Sequence, residues 1–512
     1  MIAGDLLGER ARLTPDKVAL IVAATGERFT YAQLDDRAVR CARVWSQLSI
    51  QKGDRVGILA HNRLEFVDAF FAAGKLGAIL VPLSTRLTAH ELAYIVRDSG
   101  MVALMYDGDF AETVGKLRDS VDVRNWIALD AAQSPPDVPY PDELTRAKAE
   151  GFVATRCEPE SVYCLLYTSG TTGKPKGVMI PHRMIVWNAY NTVMSWQLRD
   201  TDISPIFTPM YHAGGLNVFL TPLFAVGGSI IIHKGFDATE VWRTLAEEKC
   251  TVVMGVPTIY KLLMEAPEFT TTKLPNLRWL ISGGAPLPHY IIENYSARGI
   301  TFKQGYGLTE AGVNCFAMTP EDSVRKLGSI GRPMLFCEAR LVDPEGQDVT
   351  ANDVGELWLR GPHVCKGYWN QPEATASTID SEGWLHTGDL ARKDEEGFFY
   401  IAGRSKDMFI SGGVNVYPAE IEAELLTHPD VKDAAVIGVP HAKWGEVGVA
   451  FVVAGKEGLK PEELVTYLSE RLSKYKIPRE FVFTNELPRS AYGKVVKPQL
   501  QEEWKTRRAS AG

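Results

Sequence analysis

The chain lacks most features that would send it to a specialised class. None of its seven cysteines (Cys41, Cys157, Cys164, Cys250, Cys315, Cys337 and Cys365) forms a C-x-x-C pair. The spacing of a zinc or dithiol redox site is therefore missing, and an odd, scattered set reads as reduced, mostly buried thiols. No apolar run reaches the roughly 20 residues that cross a bilayer; the most apolar stretch, Val218 to Ile232, is broken by Pro222, Gly227 and Gly228. Met1 to Thr30 carries Asp5, Glu9, Arg10 and Arg12 and has no continuous apolar segment of the export type. No transmembrane segment and a cytoplasmic location are the expectations. Positive charge is not in excess either, since 55 Lys and Arg stand against 63 Asp and Glu, a net charge of −8. That balance argues against an extended nucleic-acid surface and leaves anionic ligands to local sites. Low-complexity tracts and fixed-period repeats are also absent, which excludes solenoids.

What is present is a globular composition, 45% hydrophobic and 23% charged, over 512 residues, enough for two to four domains by the usual domain size. Gly53 to Leu83 reads as strand (Val56 to Leu59), helix (Leu64 to Lys75) and strand (Ala78 to Leu83), the alternation of a parallel sheet covered by helices. Thr88-Ala89-His90-Glu91 has capping-box spacing before Leu92, Ile95 and Val96, and Asp237-Ala238-Thr239-Glu240 opens a helix in the same manner. Short apolar runs at Ser229 to Ile232, Thr251 to Met254 and Arg278 to Ser282 read as buried strands. After about Lys326 the pattern changes to short alternating strands with Gly and Asp turns, as in Val354 to Arg360 and Phe398 to Ile401. Beyond Gly403, Pro418 to Leu426 and Pro461 to Leu472 read as helices, and Ala434 to Val439 and Val447 to Val453 as strands. The fold class is α/β. A large N-terminal domain of parallel-type sheets with packed helices (residues 1–403) includes a β-rich subdomain at about 327–403, and a small α/β C-terminal domain (408–512) follows residues 404–407.

The apolar run Ser161 to Tyr167 leads into Thr168-Ser169-Gly170-Thr171-Thr172-Gly173-Lys174-Pro175-Lys176-Gly177. Small residues let backbone N–H groups approach phosphate oxygens, hydroxyls donate further hydrogen bonds, and lysines neutralise charge. It is not a Walker A loop, because Thr168 stands where the first Gly is needed and Pro175 follows Lys174 where Ser or Thr is required. The string closely resembles the phosphate loop of the adenylate-forming superfamily: acyl-CoA synthetases, peptide-synthetase adenylation domains and luciferases. The resemblance continues in order through Pro209-Met210-Tyr211-His212, Ser282-Gly283-Gly284-Ala285-Pro286, Gly305-Tyr306-Gly307-Leu308-Thr309-Glu310, Gly388-Asp389, Gly403-Arg404-Ser405-Lys406-Asp407 and Pro488-Arg489-Ser490-Ala491-Tyr492-Gly493-Lys494. The overall texture is most similar to bacterial fatty-acyl-CoA synthetases.

That resemblance implies roles. Thr168 to Lys174 would cradle the phosphates of ATP; Tyr306, flanked by Gly305 and Gly307, would lie against adenine beside Gly283, Gly284 and Ala285. Thr309 would touch the α-phosphate, Glu310 would hold Mg²⁺, and Asp389 would accept both ribose hydroxyls with Arg404 near the same sugar. Lys494 would contact the carboxylate and α-phosphate during adenylation, although Tyr492 replaces the small residue usual in that loop. His212 would gate an acyl pocket drawn from Asn217, Val256, Gly283, Gly307 and Gly312. The small domain, mobile in this family, would turn about Lys406 and present Ser411, Gly412 and Gly413 to coenzyme A. Homodimers are common in the superfamily.

The implied reaction converts a carboxylic acid to an acyl-adenylate with loss of pyrophosphate and passes the acyl group to coenzyme A. No Ser-His pair is needed, because the carboxylate is itself the nucleophile and requires only charge shielding. The apolar, small pocket set favours a medium- or long-chain fatty acid, with an aryl or phenylpropenoic acid as the alternative. An acyl-AMP ligase serving a carrier protein, a luciferase-type oxidase and a nucleotide sensor share parts of the pattern. An amino-acid-activating domain would carry an Asp near Pro209 to Gly215, which has none.

Overall fold

The computed structural model describes residues 5–130, 137–168, 174–285, 287–489 and 495–511. Local chemistry starts the helices where expected. Thr88 Oγ1 accepts from Glu91 N while Glu91 Oε2 accepts from Thr88 N, opening helix Ala89–Ser99, and Gly100 closes it in the left-handed region at φ +63°. Asp237 accepts from Glu240 N at 2.8 Å and opens Ala238–Glu247. Thr30 and Gln33 form a second capping box before Tyr31–Gln47.

Three sheets form the larger part. The first runs Val138–Pro139, Asn125–Ala128, Ala103–Tyr106, Arg55–Leu59, Ile79–Pro82, Val162–Thr168 and Lys176–Pro181. The second runs Ile203–Ile206, Ser229–Ile232, Val18–Val22 and Arg28–Thr30, and the third Val252–Gly255, Trp279–Ser282 and Phe302–Gln304. The inner strands are buried apolar runs, as parallel strands covered on both faces must be. The sheets are of the expected parallel type, and the first two each end on an antiparallel strand. Residues 169–175 and 23–27 are shorter than the dozen or so that a parallel crossover needs, so each connection can only make a hairpin.

After residue 326 the chain forms an antiparallel sheet of Glu338–Val342, Val354–Arg360, Leu385–Lys393 and Phe399–Arg404. One turn of 3-10 helix, Ser405–Asp407, separates it from a five-stranded sheet built on the long pair Val431–His441 and Gly445–Ala454. Alternation puts Val436, Ala450 and Val452 on one face against Ile421, Leu425, Leu464 and Leu468. Ala435, Ile437 and Val449 pack on the other face with Leu500. Backbone pairing carries these strands beyond the apolar pattern that marked them, whereas the helix expected to reach Leu472 ends at Ser469. All seven cysteines are free and buried, and no helix among the described residues is long and apolar enough to cross a membrane.

Helix Leu64–Leu76 is apolar almost all round and buried. Phe70 within it meets Phe71 edge-on at 5.2 Å and Tyr163 at 4.9 Å, and its carbonyl accepts from Tyr163 Oη at 2.7 Å. Phe70→Ala is expected to lose about 3–5 kcal/mol of stability, read from urea denaturation. A wild-type midpoint and slope would show that this helix is not a central element of the core.

Candidate active site

Parallel strands deliver their loops to one edge of a sheet. Val252–Gly255 leads to Val256, Trp279–Ser282 to Gly283, Gly284 and Ala285, and Phe302–Gln304 to Gly305, Tyr306 and Gly307. The crevice outside such carboxyl ends is where open α/β sheets bind ligands. The loops continue the sheet ladder, Gly283 N donating to Gly255 O and Gly305 N to Ser282 O. Gly284 sits at φ +80°, and a Cβ added to Gly283 would meet nothing within 4 Å, so this edge is open.

The segment after Gly305 folds back on itself. Cys315 N donates to Tyr306 O and Val313 N to Leu308 O around the 3-10 turn Thr309–Ala311. A Cβ on Gly307 would lie 2.0 Å from the Val313 carbonyl oxygen. Gly307 is therefore required by a backbone crossing on its side-chain side.

Tyr306, Asp389 and Arg404 meet. Asp389 and Arg404 are register partners in neighbouring antiparallel strands, and Arg404 Nε lies 2.6 Å from Asp389 Oδ1. Tyr306 Oη donates to Asp389 Oδ2 at 2.6 Å. Asp389 is buried, so an ionised carboxylate there needs these partners. Behind it Thr387 Oγ1 accepts from Asp389 N and donates to Leu357 O, and Gly388, at φ +68°, donates its N–H to Glu356 Oε1. Burial, and then the Asp389 charge, push the Tyr306 phenol far above its usual range, so it stays a donor at neutral pH. Among the described residues Tyr306 donates to one carboxylate oxygen and Arg404 lies against the other, and an ionised carboxylate has about four acceptor positions in all.

Glu310 is fixed by a residue the sequence did not single out. Tyr368 Oη donates to Glu310 Oε1 at 2.9 Å, and Glu310 O accepts from Cys365 N at 2.7 Å. Lys176 Nζ stands 5.0 Å from the Tyr368 ring centroid. The adjacent aromatics Tyr368 and Trp369 after Gly367 were the available signal, but nothing local ties them to Glu310 across 58 positions. No group of three or more His, Cys, Asp or Glu is placed to hold a metal among the described residues. One carboxylate suits Mg²⁺ arriving with phosphate, since that ion keeps waters and shares substrate oxygens.

The remaining candidates separate. Thr168 pairs with Lys176 and so anchors both ends of the phosphate loop, while Lys174 is exposed with Nζ 5.8 Å from the Tyr94 ring centroid. Ser169, Gly170, Thr171, Thr172, Gly173 and Lys494 lie outside the described residues. His212 is half-buried beside Tyr211, with ring centroids 4.6 Å apart. Val256 stands 3.8 Å from the side-chain direction of Gly284, whereas Gly312 and Asn217 share a different neighbour, Asn188. Lys406 is exposed in its single turn. Gly412 and Gly413, at φ +61° and +84°, form the two-residue turn between Ser411 and Val414, as a hairpin of this kind demands. Ser411 itself is buried, so only the glycines of that loop face outward.

Residues 7–369 match the family described as AMP-binding enzyme, and residues 420–494 its C-terminal domain. The chain is 38% identical over 97% of both chains to a feruloyl-CoA synthase of an Amycolatopsis species. It is 37% identical over 98% of both to a long-chain-fatty-acid–CoA ligase of Mycobacterium tuberculosis. The solved O-succinylbenzoate coenzyme A synthetase of Bacillus subtilis, in complex with ATP and magnesium ion, superimposes with TM-score 0.87 at 34% identity, covering 97% of this chain and 99% of that one.

Losing a charged hydrogen-bond acceptor from such a cluster removes about 1.5–3 kcal/mol. Asp389→Ala is expected to weaken AMP binding by roughly 10- to 100-fold in isothermal titration, and Tyr306→Phe by less. Wild-type AMP affinity in Asp389→Ala would exclude the cluster as a nucleotide contact.

Proposed function

The chain belongs to the AMP-binding enzyme family and is an AMP-forming acyl-CoA synthetase, and from that premise we propose that its acid carries a substituted aromatic ring. The meeting of Tyr306, Asp389 and Arg404 within hydrogen-bond distance carries the adenylation reading. A relative named for feruloyl-CoA and another named for 2-succinylbenzoate support the aryl acid. A fatty acid is the second reading, favoured by the mycobacterial relative. Free, buried thiols throughout fit a reducing compartment such as cytoplasm.

In this reading Asp389 takes the ribose hydroxyls with Arg404 paired to it, and Tyr306 presents its ring to adenine beside Gly283, Gly284 and Ala285. Thr309 meets the α-phosphate, and Glu310, positioned by Tyr368, supplies the carboxylate for Mg²⁺, which shields phosphate charge when bound. Thr168 and Lys174 flank Ser169, Gly170, Thr171, Thr172 and Gly173, the loop that receives the phosphates. With that charge neutralised, the acid's carboxylate attacks the α-phosphorus in line and pyrophosphate leaves. Lys494 spans the attacking carboxylate and the α-phosphate. His212 borders the acyl site. After the C-terminal part turns about Lys406 and brings Gly412 and Gly413 to the site, the coenzyme A thiol attacks the acyl carbonyl of the mixed anhydride, the acyl C–O bond to phosphate breaks, and AMP leaves with the thioester formed.

Two expectations follow. ATP consumption requires Mg²⁺ and a carboxylic acid and yields AMP with pyrophosphate, whereas stoichiometric ADP would exclude attack at the α-phosphorus. Lys406→Pro holds φ near −65° and restricts Ser405 as well, so it should separate the half-reactions. Pyrophosphate release should survive far better than thioester formation from supplied acyl-AMP. A variant with wild-type thermal denaturation and both rates intact would move the pivot elsewhere.

A further inference from the structure

Helix His182–Trp196 turns amides into the core. Asn188, Asn191 and Thr192 lie at i, i+3 and i+4 and are 1%, 0% and 0% exposed, on a face where an ordinary core helix carries aliphatic residues. Facing them are Asn217, 3% exposed, and Asn314, 2% exposed. Asn314 Nδ2 donates to Thr192 Oγ1 at 2.9 Å, and Asn188 Nδ2 to the Asn217 main-chain oxygen at 2.7 Å.

The orientations of Asn188 and Asn191 are forced. The Asn217 carbonyl can only accept, which fixes Asn188 with Nδ2 toward it and turns Oδ1 away. The Phe336 N–H can only donate, and its 3.1 Å bond to Asn191 Oδ1 turns Asn191 Nδ2 away. Among the described residues, Asn188 Oδ1, Asn217 Oδ1 and Asn191 Nδ2 then have no hydrogen-bond partner, though all are buried. A network that served only to fix the core would close on itself. This one leaves two acceptors and one donor.

Its position ties it to the acid. Asn314 follows directly on the segment that carries Thr309 and Glu310, and Gly312, at φ +84°, lies between them. A Cβ on Gly312 would stand 3.1 Å from Asn188 Oδ1, so the glycine keeps a side chain off that oxygen.

We propose that Asn188, Asn191 and Asn217, held by Asn314 and Thr192, read a hydroxyl group with a neighbouring oxygen acceptor on the end of the acid remote from its carboxylate. The proposal rests on the aryl-acid reading above and specifies the ring's substituents. A phenolic O–H supplies the donor that the two amide oxygens require, and an adjacent ether oxygen takes the Asn191 N–H. An unsubstituted alkyl chain satisfies none of them. Sites built to bond a hydroxyl discriminate strongly against analogues that lack it.

The experiment compares kcat/KM for pyrophosphate release with 4-hydroxy-3-methoxycinnamate, 4-hydroxycinnamate, cinnamate and dodecanoate, in the full-length wild type, Asn188→Leu and Asn217→Leu. The wild type should prefer 4-hydroxycinnamate to cinnamate by about 30-fold or more. In either variant that keeps the wild-type thermal midpoint, that ratio should fall to about threefold or less. A wild-type ratio near one overturns the proposal whether or not a variant folds, and so does an unchanged ratio in a folded variant. Dodecanoate outperforming every cinnamate overturns it together with the aryl reading while the acyl-CoA synthetase assignment stands. Pyrophosphate release with none of the acids overturns it as well, since the acid it names would then not be a substrate.

Discussion

Asp389 puts a carboxylate where little water reaches, and an unpaired buried charge would cost several kcal/mol. Among the described residues, one group from each of two other segments faces it. Arg404 is its register partner in the antiparallel sheet, and Tyr306 comes from the loop at the edge of a parallel sheet. Much of the site's geometry follows from that pairing. It brings an antiparallel hairpin against the open edge of the third sheet, and it places the last residue of that hairpin, Arg404, directly before the turn that leads into the tail.

Much of this was legible in the sequence because the chemistry involved is local. Capping boxes act over four residues, so Thr88 and Glu91 announce a helix wherever the chain goes. Gly388, Gly412 and Gly413 take φ values that suit glycine, and short turn strings carry that requirement openly. Buried parallel strands are apolar runs that can be read without knowing their neighbours. The phosphate loop and the strings after it are dense in residues whose backbone or charge is committed to one task.

What stayed hidden depends on long-range register. Tyr368 reaches Glu310 only because an isolated bridge joins Val178 to Tyr368 and the Cys365 amide binds the Glu310 carbonyl. Neither contact leaves a local pattern. The need for glycine at 307 is equally non-local, because the folded chain sets the Val313 carbonyl where a side chain there would lie. The two antiparallel edge strands depend on connection length, which the apolar runs do not display. The amides of helix His182–Trp196 are ambiguous for a similar reason, since Asn188 and Asn191 by spacing alone are as well suited to a solvated stripe as to a buried one. Only the packing against Asn217 and Asn314 decides.

The same pairing links nucleotide contact to the tail through a short mechanical path. Arg404 is held on the Asp389 carboxylate, and the next three residues make a single 3-10 turn with no buried side chain, so nothing in the turn itself resists a change in torsion. Beyond the turn, the sheet has apolar cores of its own on both faces. On the proposed reading it moves as a body with those cores intact. On the proposed reading, a diol hydrogen-bonded to Asp389 alters the hold on Arg404 at one end of that turn, while the tail hangs from the other. The turn is then where occupancy of the nucleotide site is converted into orientation of the tail.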